Sequence, residues 1–286
     1  MSDVDAYGDT GAAGDSEPTG QGATDGGAAG DGAPTGGAAD VRIRPVLGLP
    51  EIATGDPLGE LIAARAGTLV DGDVVVVSQK VVSKAEGRMR RLSSVIPGAE
   101  ARKYAAVLGK EPAVVQLILE ESAEVLRAER GVLIVETRHG LVCANAGIDS
   151  SNVADPESVL LLPEDPDASA RRLRTEIGGV CGARIGLVIA DSFGRAWRIG
   201  QAEVAIGCAG LMPLDDWRGR HDATGRELKA TEIAIADEAA AAADLVRDKA
   251  AAVPAVVLGG LGRWVTEEDG PGAAAIRRPR EDDLFR

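Results

Sequence analysis

The sequence predicts an α+β protein, and three observations carry that prediction. Val74–Val77, Leu187–Ala190 and Pro254–Leu258 are short apolar runs, rich in Val and Ile, that fit buried strands. Val132–Glu136 and Leu141–Cys143 read as two strands of a hairpin joined across Arg138-His139-Gly140, which adds antiparallel pairing. Stretches of helical spacing are interspersed among the strands, the strongest being the Ala-rich run from Asp237 to Ala251.

The elements follow in order. Residues 1–40 are a Gly, Ala, Asp, Thr and Pro mixture with almost no large apolar side chains. Such a segment cannot offset its ordering entropy by burial, so a disordered extension is expected there. Val41–Val46 alternates like an edge or hairpin strand, where Pro45 is tolerated. Gly48-Leu49-Pro50-Glu51-Ile52 makes a turn. Leu58–Ala66 has helical spacing, with Asp56 as N-cap and Pro57 at the first helical position. Asp71-Gly72-Asp73 turns the chain into the Val74–Val77 strand. Helices are expected over Ala99–Leu108 and Pro112–Glu121, with a short strand at Val125–Leu126 before the hairpin. Pro166-Asp167-Ala168 opens a helix running to about Ile177, and Asp167 in its first turn suits the helix dipole. Past the Leu187 strand, Leu214–Asp222 is a charged loop, Leu228–Ile235 a strand and Asp237–Ala251 a helix. The expected domain spans 41–262, and the Gly-, Pro- and Arg-rich 263–286 is an irregular tail or linker.

Composition narrows the function. With 45% hydrophobic residues and only 2% aromatics, the core must be Ala, Val, Leu and Ile. The 31 basic and 45 acidic residues leave a formal charge of -14, a poor match to a nucleic-acid backbone. Three scattered cysteines argue for reduced thiols and a cytoplasmic protein. Two unpaired histidines make a zinc site a poor fit, and no apolar run is long enough to span a membrane. The N-terminus lacks the basic and apolar regions of a secretory signal.

Three polar stretches at proposed strand ends carry the chemistry. The first follows Leu187–Ala190: Asp191 sits where that strand should end, Ser192 follows, and Gly194 turns the chain beside Arg195 and Arg198. A carboxylate beside a hydroxyl suits Mg²⁺ or Mn²⁺, which prefer oxygen ligands, and arginine forks match phosphate oxygens. The plainer reading is an Asp-capped turn with surface arginines. The second stretch, Ser78–Arg88, leaves the Val74–Val77 strand where open α/β sheets bind ligands. Lys84 is its better functional candidate, crowded in sequence by Ser78, Ser83 and Glu86. Lys80 reads equally as a solvated lysine at a helix start. The third, Ala144–Val153, brings Asp149, Ser150, Ser151 and Asn152 together. It is either an Asx-type turn or the source of a second metal carboxylate. No P-loop, dinucleotide fingerprint or nucleophile elbow is present. The residues alone thus point to metal-assisted phosphoryl chemistry at Asp149, Asp191 and Lys84.

Six blocks occur in the order found in one family. They are Gly48-Leu49-Pro50, Val81–Arg88, Gly147–Val153, Leu162–Ser169, Asp191–Arg198 and Ala236-Asp237-Glu238. Over about Val46–Leu261 the chain resembles the coenzyme F420-0:L-glutamate ligases, the gamma-glutamyl ligases of the deazaflavin coenzyme. The resemblance implies a GTP-dependent amide ligase with two Mg²⁺ or Mn²⁺ ions per active site and K⁺ as a further candidate ion. GTP would phosphorylate a carboxylate of the deazaflavin precursor, and the amine of L-glutamate would attack the acyl phosphate. It implies nucleotide contacts from Leu49, Pro50, Glu51, Ile52, Gln79, Lys84 and Asn152. It assigns one metal to Asp149 and Asp191 and the second to Ser192. It also implies a family-specific mixed sheet and helix fold and an intertwined homodimer. Arg195 and Arg198 are guessed receivers of L-glutamate. Asp282–Arg286 resembles the junction before the nitroreductase-like domain of two-domain members, whereas the N-terminal extension lies outside the family pattern. Two rivals stand beside this reading. One is a ligase of the same fold acting on another acid. The other is a deazaflavin-binding protein without catalysis, against which the paired carboxylates weigh.

Overall fold

The structure is a computed structural model that describes residues 40–150, 155–247 and 252–284. Residues 1–39, Asn152 and the end of the expected Asp237–Ala251 helix lie outside the described residues.

The chain opens with β1 (Arg42–Pro45), then the short α1 (Leu58–Ala63). Pro57, not Asp56, takes the position before α1; Asp56 instead accepts from the backbone N–H of Ala53 at 2.8 Å and closes the preceding turn. β2 (Val74–Ser78) runs directly into α2 (Gln79–Ala85). β3 (Met89–Arg91) precedes α3 (Ala99–Leu108) and α4 (Pro112–Glu120), which begins with its proline at N1. β4 (Ser122–Glu129), β5 (Val132–Thr137) and β6 (Val142–Ala144) form an antiparallel sheet. The expected Val125–Leu126 strand is thus longer, because pairing with β5 holds its polar residues extended. β7 (Ser158–Leu160) pairs with β3, and α5 (Pro166–Cys181) follows, capped by the Asp165 carboxylate on the N–H of Ala168 at 2.9 Å.

β8 (Gly186–Arg195) and β9 (Arg198–Ala209) form a long hairpin. This corrects the expectation that the strand ends at Asp191 and turns at Gly194. Gly194 pairs with Gln201, and the turn lies at Ala196-Trp197. β10 (Asp215–Asp216) pairs with β11 (Glu232–Ile233), so the expected Leu228–Ile235 strand shrinks to two residues. Ile235 instead opens α6 (Ile235–Asp244), because its side chain joins the core beneath that helix. β12 (Ala255–Gly259) completes the set.

The principal sheet has the order β1-β12-β2-β8-β9, with β2 and β8 parallel and the other neighbours antiparallel. It is a mixed sheet in an α+β fold. β2 shows why its sequence is four consecutive valines. Val75 and Val77 pack into the core with α1 and α5, while Val74 and Val76 pack into the core under α6. A strand buried on both faces has no position for a polar residue. Each buried valine contributes roughly 1.5–3 kcal/mol. A smaller core lies between α3, α4 and β5.

Short 3-10 turns at Gly262–Trp264, Ala273–Ile276 and Arg280–Asp282 end the described chain. α5 grips this segment twice. Arg174 donates to Asp269 at 2.7 Å, and Asp167 accepts from the N–H groups of Ala273 at 2.7 Å and Cys208 at 2.9 Å. Among the described residues, no helix is long and apolar enough to cross a membrane.

Candidate active site

The end of β2 places the first group of side chains. Because α2 begins at the next residue, Gln79, Lys80, Ser83 and Lys84 leave the sheet together on one short helix. Gln79 is fully buried at 0% exposure, its Oε1 accepts from the Ser83 hydroxyl at 2.9 Å, and its Nε2 is buried without a hydrogen-bond partner among the described residues. An amide donor left in that state costs stability unless something else accepts from it. Lys84 is 8% exposed, and its ammonium lies 2.5 Å from Glu51 Oε1. That ion pair draws the Leu49–Ile52 turn onto α2. Ile52 is buried, Leu49 packs against the same core, and Pro50 and Glu51 are exposed. Thus Leu49, Pro50, Glu51, Ile52, Gln79 and Lys84, distant in sequence, share one neighbourhood. Asn152 lies outside the described residues.

Asp149 and Asp191 form the second group. Asp149 is held by reciprocal backbone bonds to Leu160 at 3.0 and 2.8 Å, and its carboxylate meets Lys80 Nζ at 2.6 Å. The bland reading of Lys80 as an outward lysine is therefore wrong: it is an ion-pair partner of the candidate metal carboxylate. Asp191 is pushed up to about 7 from 3.8 by burial first, then by the negative charge of Glu203, with Asp149 adding to the rise. The N–H of Ser192 and the charge of Lys80 oppose it. Asp191 thus feels the charges of Glu203, Asp149 and Lys80, although the four come from separate parts of the chain. Cys143 lies near enough for Asp191 to join burial in raising its thiol to about 12.

Ser192 is not in the same setting. Its hydroxyl donates to Glu203 Oε1 at 2.5 Å, and Arg247 Nη1 meets Glu203 Oε2 at 3.0 Å. Glu203 and Arg247 escaped the sequence reading, as did the role of Lys80. A regular hairpin turning at Ala196-Trp197 would put Gln201 opposite Ser192; the register shift between Gly194 and Arg195 brings Glu203 there instead, and the run after Asp191 reads in sequence as a turn. Arg195 and Arg198, the guessed glutamate receivers, sit exposed near the hairpin tip, with Arg195 turned onto the carbonyl of Ile199 at 2.7 Å.

The donor set fits a hard divalent cation. Asp149, Asp191 and Ser192 offer only oxygen, and the two carboxylates outnumber the ammonium of Lys80. Among the described residues, no three carboxylate, imidazole or thiol groups form a ready-made metal cluster. Mg²⁺ does not need one, since it is held by one or two carboxylates together with substrate phosphates and water.

Fold and site define a class: an α+β protein with a mixed sheet that brings carboxylates and ammonium groups from separate elements together. Residues 47–260 match the family described as F420-0:Gamma-glutamyl ligase. Among curated relatives, the "Coenzyme F420:L-glutamate ligase" of Archaeoglobus fulgidus is 46% identical over 250 residues, covering 86% of this chain and 96% of that protein. Those of Methanopyrus kandleri and Methanothermobacter thermautotrophicus, with the same name, are 44% and 42% identical. They cover 87% and 84% of this chain and 99% and 97% of their own length. The chain belongs to the F420-0:gamma-glutamyl ligase family.

Proposed function

We propose that this protein joins L-glutamate to coenzyme F420-0 and extends the γ-linked glutamate tail, using GTP and passing through an acyl phosphate. The names of its relatives support glutamate and the deazaflavin as substrates. One observation carries the chemistry: Asp149 and Asp191, 42 positions apart in sequence, come close enough for one to raise the pKa of the other.

Amide formation needs an activated carboxyl, because a free carboxylate does not accept an amine at useful rates. Phosphorylation supplies the leaving group. Lys84 binds phosphate as a point charge, and the Gln79 amide supplies a neutral donor. The Leu49–Ile52 turn, tied to Lys84 through Glu51, closes over the nucleotide. Asp149 and Asp191 would hold one divalent cation and Ser192 a second. Mg²⁺ or Mn²⁺ there supplies neutralisation of charge on the transferring phosphoryl group. K⁺ is a further candidate ion. The amine of L-glutamate then attacks the acyl carbon, the C–O bond to phosphate breaks, and inorganic phosphate leaves with the electron pair. Three free cysteines support a reducing, cytoplasmic setting. We take the working form to be the intertwined homodimer.

The test is a mass-spectrometric assay of purified protein with GTP, Mn²⁺, L-glutamate and F420-0. The expected result is a product heavier by one glutamyl residue, formed with stoichiometric release of GDP and phosphate. Turnover with a different acid and none with F420-0 would overturn the acceptor. Tight deazaflavin binding without GTP turnover would make the protein a carrier.

A further inference from the structure

The Ser192 side of β8 holds a buried charge pair that the reading above leaves unused. Side chains alternate along a strand. Ile189 belongs to the core with α1 and α5, and Ala190 to the core under α6. Asp191 pairs with Val204, which packs on the α1–α5 side. Ser192 pairs with Glu203, two residues before Ala205, which lies under α6. Adjacent residues on opposite faces define two ligand positions, and Asp191 and Ser192 do not share one.

On the α6 side the geometry is tight. The Ser192 hydroxyl donates to Glu203 Oε1 at 2.5 Å, and Arg247 Nη1 sits 3.0 Å from Oε2. Arg247 Nη2 donates to the Val76 carbonyl at 3.3 Å, while its Nε is buried with no hydrogen-bond partner among the described residues. Both side chains are more than nine-tenths buried, at 9% and 8% exposure. A buried ion pair is a weak source of stability, since its desolvation cost offsets most of the attraction. An orphaned guanidinium N–H adds to that cost. Packing therefore gives no reason for Glu203 and Arg247 to be there, and a ligand does. A lone hydroxyl is a poor ligand for a hard dication, which takes carboxylate oxygens in preference.

We propose that Glu203 is the anionic ligand of the cation held at Ser192, and that Arg247 is the positioning residue that fixes its carboxylate. The proposal rests on the divalent-ion reading above. Oε1, which now accepts from Ser192, faces the ion, and Oε2 stays on Arg247.

The test counts Mn²⁺ bound to the full chain by electron paramagnetic resonance, with a non-hydrolysable GTP analogue present. The wild type is expected to bind two ions per chain. Glu203→Gln keeps an acceptor for Ser192 but loses the charge, so it should bind one. Asp191→Asn should lose the other. Arg247→Met should keep both ions and weaken the Ser192-side ion by about tenfold, the usual scale for an outer-shell partner. If Glu203→Gln misfolds by circular dichroism, Glu203→Asp replaces it: a carboxylate one methylene short should weaken that same ion. A wild type that binds no Mn²⁺ overturns the divalent-ion reading itself. A wild type that binds two ions, matched by Glu203→Gln or Glu203→Asp at unchanged affinity, overturns only the role of Glu203. A wild type with one ion, lost in Asp191→Asn, also overturns it.

Discussion

Asp191→Asn separates electrostatics from shape at the centre of the site. The folded protein holds this carboxyl at about 7 against an ordinary 3.8, because burial and the negative charge of Glu203 disfavour ionisation. Folding thus favours the protonated form. The stability that protonation brings is complete below the unfolded value and is lost as pH rises through about 4 to 7. Above that window the metal-free protein carries an ionised Asp191 at a cost on the order of 4 kcal/mol. Asparagine fills the same space, still accepts from the Ser192 N–H, and carries no charge. Urea unfolding of the metal-free protein at pH 8 should therefore show the variant more stable by about 2–4 kcal/mol, with the gain falling below about 1 kcal/mol at pH 4. Turnover should move the other way, falling roughly 10²-fold or more as transition-state charge stabilisation is lost. A variant less stable at pH 8, or a gain that does not change with pH, would refute the electrostatic account.

Four further outcomes are expected. The Asp149→Asn/Asp191→Asn double variant should turn over little more slowly than the worse single variant, because residues acting through one ion are not additive; losses that multiply with unchanged Mn²⁺ dependence would separate them. Lys84→Ala should weaken GTP binding by about 1.5–3 kcal/mol in calorimetry with metal present. The fold should tolerate that change, since the Glu51 side chain left behind is 82% exposed and stays hydrated. Gly207→Ala would put a Cβ 2.3 Å from the Pro166 carbonyl oxygen, where α5 starts against β9, and should cost about 1–3 kcal/mol in thermal or urea unfolding. Burial pushes the Cys143 and Cys208 thiols up to about 12, while Cys181 is only half-buried. Alkylation at pH 8 should therefore label Cys181 first, and the other two only after denaturant is added.

What the sequence determined by itself was the set of elements whose pattern is local. The four valines of β2, the Pro112 start of α4 and the apolar first half of β8 announce themselves, because burial on one or both faces dictates residue type position by position. The resemblance of six short blocks also names Asp149, Asp191, Ser192 and Lys84 as candidate site residues. Tertiary structure decided the rest. β8 runs on past Asp191 because β9 supplies its hydrogen bonds, and no pattern within Asp191–Arg195 reports that partner. Lys80 finds Asp149 only once α2 and the chain before β7 pack together. Glu203 reaches Ser192 only in the register of the β8–β9 hairpin, and Arg247 joins them only because α6 lies on that face of the sheet. Apolar periodicity is written along the chain, since water acts on each side chain separately. A charge pair is a relation between two positions, and it exists only where folding brings both out of water together.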